Sequence, residues 1–228
     1  MLDDQATLLT AFQVEIAQLF FNLPASDGFL LAGGGALLAH GLITRPTVDL
    51  DFFAGPEVGG VSRARDELTM VAVQHGWTVD LMRDSDTFCR LTVHGAEELG
   101  VDLAVDAVRL KPATASIVGP TLAPIELAGQ KVAALFNRAA LRDFADVWTL
   151  SQRFGKAALL EFAQEIDAGF DLGVFAEMIG SLGLRADSRL AAAGVADVGA
   201  LREFFRQWRV ELIEASSTAG SAQALGGD

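Results

Sequence analysis

The chain has 228 residues, 51% of them hydrophobic, which supplies a core for one large domain or two small ones and excludes a disordered protein. A formal net charge of −13 argues against broad nonspecific contact with nucleic acid, while leaving room for a local basic groove or a basic partner protein. The single Cys89 excludes an internal disulfide and a thiolate metal cluster, and it fits a reducing compartment. The start, Met1-Leu2-Asp3-Asp4, is acidic where a secretory signal would be basic. No apolar run reaches the roughly 20 residues of a membrane span. The expectation is a soluble, cytoplasmic chain with no membrane partner.

In chain order, Leu8, Leu9, Phe12, Ile16, Leu19 and Phe20 recur at helical spacing and predict a first helix from about Asp3 to Phe21. A short apolar strand, Phe29 to Ala32, meets Gly33-Gly34-Gly35 and a brief helix through Ala39. After the turn at Gly41 to Pro46, Thr47 to Phe53 reads as a strand, and Ser62 is placed to cap a helix ending near Gly76. Strand-like runs follow at Trp77 to Met82, Phe88 to His94 and Leu99 to Leu110. In the last, Val101, Leu103 and Val105 alternate with Asp102, Ala104 and Asp106. Pro112 and Pro120 bracket a loop. Beyond Pro124 the pattern is helical to about Glu214, with breaks near Gly155, Gly169, Gly183 and Gly194. The expected division is an α/β domain over 1–122, a helical domain over 123–214 and a low-complexity, mobile tail over 215–228.

Asp49 and Asp51 are two apart in a strand, so both carboxylates leave one face among Val48, Leu50, Phe52 and Phe53. Such a pair needs a compensating cation or donors, and magnesium prefers hard oxygen ligands of this kind. A third carboxylate on a neighbouring strand, about 4.8 Å away, would complete a two-metal site. Asp102 is the leading candidate, with Asp106 in reserve and Asp80 third. A solvated sheet edge carries the same Asp-x-Asp pattern, so the pair alone does not decide. Gly33-Gly34-Gly35 lets backbone approach a ligand where a helix N-terminus offers N–H groups to phosphate. No Gly-Lys-Ser/Thr follows it, so it is not a Walker motif.

Strand, glycine turn, short helix and then a strand bearing Asp-x-Asp resembles the signature of the DNA polymerase β-like nucleotidyltransferases. That resemblance implies an α+β fold, a mixed sheet flanked by helices and followed by a C-terminal helical bundle. The family often carries a Ser after its first glycine; here no hydroxyl residue follows until Thr44.

Downstream, Lys131, Arg138 and Arg142 fall in one stripe if their helix is continuous, and such a stripe would receive phosphates. A solvated helix face with an Arg142–Asp146 ion pair is the competing reading. The combination of Gly33-Gly34-x-Ala36-Leu37, Arg45-x-Thr47-x-Asp49-Leu50-Asp51, Val101-Asp102-Leu103, Lys131 and Arg142-Asp143-x-x-Asp146 resembles the AbiEii/AbiGii-type nucleotidyltransferase toxins, MenT-like proteins included. The resemblance covers roughly residues 29–150. It implies the toxin of a toxin–antitoxin system that uses magnesium, two ions being expected, and moves a nucleoside monophosphate from a triphosphate to the 3′ end of tRNA. That would block aminoacylation and translation.

Carried over by residue, Asp49 and Asp51 hold metal, with Asp102 or Asp106 as the third carboxylate. Gly33, Gly34, Gly35, Lys131, Arg138, Arg142 and Asp143 bind nucleotide, and Lys131 and Asp146 join the catalytic set. The partners implied are tRNA and a cognate antitoxin, with a monomer as the expected state. Transfer to a small molecule or a protein side chain, or an inactive binding module, are the alternatives. His40, His75 and His94 show no metal spacing and read as surface or loop residues. Trp77, Trp148 and Trp208 read as core. Arg202, Arg206 and Arg209 form either an RNA-facing stripe or a solvated face.

Overall fold

The computed structural model describes residues 8–58, 60–106 and 109–225, with side chains to residue 216. Two compact units emerge, Met1–Leu127 and Ala128–Asp228. The first carries a mixed sheet and the second is helical, the α+β class read from the sequence. The division falls after Leu127, inside a helix, a little beyond residue 122.

Helix α1 (Ala11–Phe21) begins at a reciprocal cap: the Thr10 hydroxyl accepts from the Gln13 N–H at 3.1 Å and Gln13 Oε1 accepts from the Thr10 N–H at 3.0 Å. That cap starts the helix at Ala11 instead of Asp3; residues 1–7 lie outside the described residues. Its stripe Phe12, Ile16 and Phe20 is buried. Strand β1 (Phe29–Ala32) runs into α2 (Gly33–Ala39), and β2 (Asp49–Ala54) follows. Helix α3 (Val61–Gln74) is entered through Gly60 at φ 84°, so Ser62 lies inside the helix and caps nothing. Left-handed backbone of this kind suits glycine, which frees the position from any side-chain cap.

Strands β3 (Thr78–Asp84), β4 (Phe88–His94) and β5 (Glu98–Val105) come next. β5 stops at Val105, short of the expected Leu110. The Asp106 N–H donates to the Ala54 carbonyl at 2.9 Å, and there β2 ends, leaving no ladder to extend. The expected loop between Pro112 and Pro120 contains a short hairpin, β6 (Thr114–Ser116) and β7 (Gly119–Thr121). Its glycine and proline hide it from any strand pattern.

Among the described residues these strands form one sheet in the order β3-β4-β5-β2-β1-β7-β6. The central β2–β5 and the β1–β7 pairs are parallel and the rest antiparallel. Along β2, Leu50, Phe52 and Ala54 are buried, Phe52 lying 4.1 Å from the Phe20 ring of α1. Asp49, Asp51 and Phe53 alternate with them and leave the other face, half-exposed. Burying one face under helices thus aims every odd residue of β2 the other way.

Helix α4 (Pro124–Arg138), inside which the division falls, leads into the helices of the second unit, α5 (Leu141–Phe154), α6 (Lys156–Ile166), α7 (Leu172–Gly180), α8 (Asp187–Ala192) and α9 (Val198–Leu225). Phe144, Phe175, Phe205 and Trp208 are its largest buried rings, with Phe175 and Trp208 edge to face at 5.4 Å. Helices α4 and α5 are separate. Ala139 adopts φ 45° and Ala140 is extended, so Lys131, Arg138 and Arg142 do not share one continuous helix. Helix α9 runs to Leu225, past Glu214; residues 226–228 lie outside the described residues.

Candidate active site

The glycine turn closes directly onto β2. Gly33 has φ 59°, and a Cβ there would stand 2.8 Å from Asp51 Cγ and closer still to Oδ2. Gly34 meets Thr47, whose Oγ1 would lie 2.8 Å from a Cβ, and Gly35 meets Leu50 Cδ2 at the same distance. Each glycine therefore makes room for a residue on or beside β2. The Thr47 hydroxyl donates to Asp49 Oδ1 at 2.6 Å, and the Thr47 carbonyl accepts from Gln13 Nε2 at 2.8 Å. The sequence lacks a serine in the glycine turn, but Thr47 brings a hydroxyl to it from across the fold.

Cross-strand register lines up the charges. Asp51 on β2 pairs with Asp102 on β5, Asp102 with Arg90 on β4, and Arg90 with Arg83 on β3. Residues directly opposed across a ladder share a face. Asp102 is 6% exposed, and both its oxygens accept from Arg90: Oδ1 from Nε at 2.7 Å and Oδ2 from Nη2. This fork holds the Arg90 guanidinium above its ordinary pKa, first through its bonds with Asp102 and then through the charges of Asp49 and Asp51. The Phe88 ring lies 5.8 Å from the Arg90 guanidinium and 5.2 Å from that of Arg83. Arg90 was missed by sequence reasoning because its meaning depends on which residue of β5 it faces.

In the helical unit, Lys131 Nζ lies 3.0 Å from Asp146 Oδ2, with side chains 11% and 1% exposed. Arg138 forks onto Asp143 at 2.8 and 2.9 Å, and Asp143 is fully buried. Asp146 is thus buried against Lys131 of α4, unlike the solvated helix face of the competing reading. The break at Ala139 turns α5 so that its buried carboxylates meet cations of α4, while Arg142 is exposed.

Asp106 is exposed past the end of β5, and Asp80 takes a hydrogen bond with His94 Nε2 at 2.9 Å. His40 lies in the turn after α2, half-buried, with Nε2 2.7 Å from Thr121 Oγ1. Arg202 binds Asp187 and the Leu182 carbonyl, and Arg206 forks onto Glu203, so this stripe is largely occupied within the unit. Trp208 is buried, Trp77 packs on Phe12 at 5.0 Å, and Trp148 is half-buried.

Among the described residues no three Asp, Glu, His or Cys side chains are gathered to hold a metal ion. Asp49 and Asp51 meet a smaller demand: magnesium commonly takes one or two carboxylates and completes its shell with substrate phosphates and water. The donor set is all hard oxygen, and the Asp51 carboxylate packs against the backbone of the glycine turn, in the space a Cβ of residue 33 would fill. No described helix is long and apolar enough to cross a membrane.

Residues 17–173 match the family described as nucleotidyl transferase AbiEii toxin, type IV TA system. The chain belongs to this family. The match covers more than half the chain and contains the glycine turn, β2, β5 and both helical ion pairs. MenT4, a nucleotidyltransferase toxin of Mycobacterium tuberculosis, shares the fold of this AbiEii-family chain at a TM-score of 0.61 and 17% identity, over 89% of this chain and 82% of that one. JHP933 of Helicobacter pylori is similar at a TM-score of 0.46 and 16% identity, over 94% and 99% of the two chains. No curated protein matches by sequence.

Proposed function

We propose that this AbiEii-family chain is a magnesium-dependent nucleotidyltransferase toxin that adds nucleoside monophosphates to the 3′ end of tRNA, blocking aminoacylation and translation in the cytoplasm. The observation that carries the reaction is the closure of Gly33 onto Asp51, with Asp49 beside it on the same face of β2. The tRNA acceptor rests on family resemblance.

Asp49 and Asp51 would hold the magnesium, which when bound neutralises triphosphate charge and lowers the pKa of an acceptor hydroxyl. Backbone N–H groups of Gly33, Gly34 and Gly35 at the start of α2 would face the phosphates. Asp102, held in place by the Arg90 guanidinium, would orient the acceptor hydroxyl and take its proton. The hydroxyl oxygen bonds to the α-phosphorus as the bond to the β-phosphate oxygen breaks and pyrophosphate leaves. Positioning and charge compensation carry such a transfer, since the protein forms no covalent bond in it. Family resemblance adds Lys131 as a triphosphate contact and Asp146 as a member of the catalytic set, with Arg138, Arg142 and Asp143 as further nucleotide-binding residues. The expected partners are tRNA and a cognate antitoxin, and the expected state is a monomer.

The test is incubation of purified protein with each labelled nucleoside triphosphate, magnesium and total tRNA, followed by sequencing of tRNA 3′ ends. Extended ends are expected. Label appearing only in a parallel small-molecule panel or on protein would replace the tRNA reading with one of those acceptors.

A further inference from the structure

The buried carboxylate beside the Asp49/Asp51 pair already has a cation. The β4–β5 register sets Arg90 opposite Asp102, and both Asp102 oxygens are bound by one guanidinium. The two partners differ in freedom: the Asp102 side chain is 8% exposed and that of Arg90 55%. Arg90 can therefore leave the pair into solvent, whereas Asp102 stays in the sheet. We infer that Arg90 is a positioning residue that competes with a divalent cation for Asp102. The inference rests on the metal-dependent reading of this site.

The physical reason is charge. Three carboxylates, Asp49, Asp51 and Asp102, occupy neighbouring positions on one face of two adjacent strands, with Asp51 and Asp102 directly paired. Arg90 stands on the same face, directly opposite Asp102 on the next strand. A divalent ion drawn to Asp102 meets a guanidinium bound to both oxygens and is repelled by it. A triphosphate offers the same guanidinium an alternative fork of anionic oxygens. Release of Asp102 is thereby tied to the arrival of nucleotide, and the free protein keeps its carboxylate cluster partly neutralised without metal.

The experiment is titration of the full chain with Mn2+ alone, read by electron paramagnetic resonance of the free ion, for wild type, Arg90→Gln, Arg90→Lys and Arg90→Gln/Asp102→Asn. Removing a unit charge so close to the site should tighten Mn2+ binding roughly tenfold in Arg90→Gln. Arg90→Lys keeps the charge and should stay near wild type, and Asp102→Asn should cancel the gain. Arg90→Gln that melts lower but binds Mn2+ no more tightly would mean a purely structural ion pair and overturn the inference. If that occurs while wild type transfers nucleotide, only the inference falls. If no variant binds Mn2+ and wild type transfers nothing, the metal-dependent reading falls with it.

Discussion

Gly33 and Asp51 are packed so closely that only a hydrogen fits between the glycine Cα and the carboxylate; a Cβ would stand 2.8 Å from Asp51 Cγ. The backbone of Gly33 is also left-handed, at φ 59°. Gly33→Ala should therefore cost about 1–2 kcal/mol from the backbone alone and displace Asp51 as well. Urea denaturation would measure the first effect and nucleotide transfer the second. Wild-type stability and activity in this variant would contradict the proposed closure.

Asp49→Asn and Asp51→Asn remove charge from a face where carboxylates repel, so neither should lower the melting temperature appreciably. Each should reduce transfer by roughly 10²-fold or more, the scale seen when a transition-state electrostatic partner is lost. Thermal melting beside a transfer assay separates the two outcomes. Full activity in both variants would remove these residues from the reaction.

Lys131 and Asp146 form a buried ion pair, and breaking it from one side is costly. Lys131→Met leaves Asp146, 1% exposed, without its lysine and should destabilise the helical unit by about 3–5 kcal/mol. Lys131→Met combined with Asp146→Leu should recover much of that loss, because no buried charge is stranded. A double-mutant cycle in urea would read the coupling. Additive losses would mean the two residues act separately.

His40 gives the sheet unit a pH dependence of known sign. Burial lowers its pKa from the ordinary 6.5, so the unfolded chain takes up this proton before the folded one does. The stability contributed by neutral His40 is complete above that value and declines as the pH falls through it towards the lower folded pKa. Melting temperature against pH should show this decline in wild type and lose part of it in His40→Gln. An unchanged profile would show that His40 is not the group responsible.

Much of the site was legible because its signals are local. Asp49 and Asp51 had to share a face once β2 was recognised as a strand, and Gly33 to Gly35 had to mark the strand–helix turn. Lys131, Asp143 and Asp146 were also visible as residues, though not in their pairing. The helix start at Thr10 was missed, since its cap competes with an apolar pattern that extends further upstream. The β6–β7 hairpin was missed because Gly119 and Pro120 look like loop.

The sequence by itself determined the carboxylates of β2 and the glycine turn, which follow from spacing within a few residues, and the α+β class, which the resemblance carried by those motifs implies. The tertiary structure alone decided three relationships. Arg90 opposes Asp102 through the antiparallel β4–β5 register, Thr47 reaches Gly34, and Ala139 breaks the helix so that Lys131 meets Asp146. Each depends on residues that are distant in the chain or on one backbone angle, and neither leaves a periodic trace. The Gly33–Asp51 closure joins the two kinds: the glycine and the aspartate could be read, but their van der Waals contact could not.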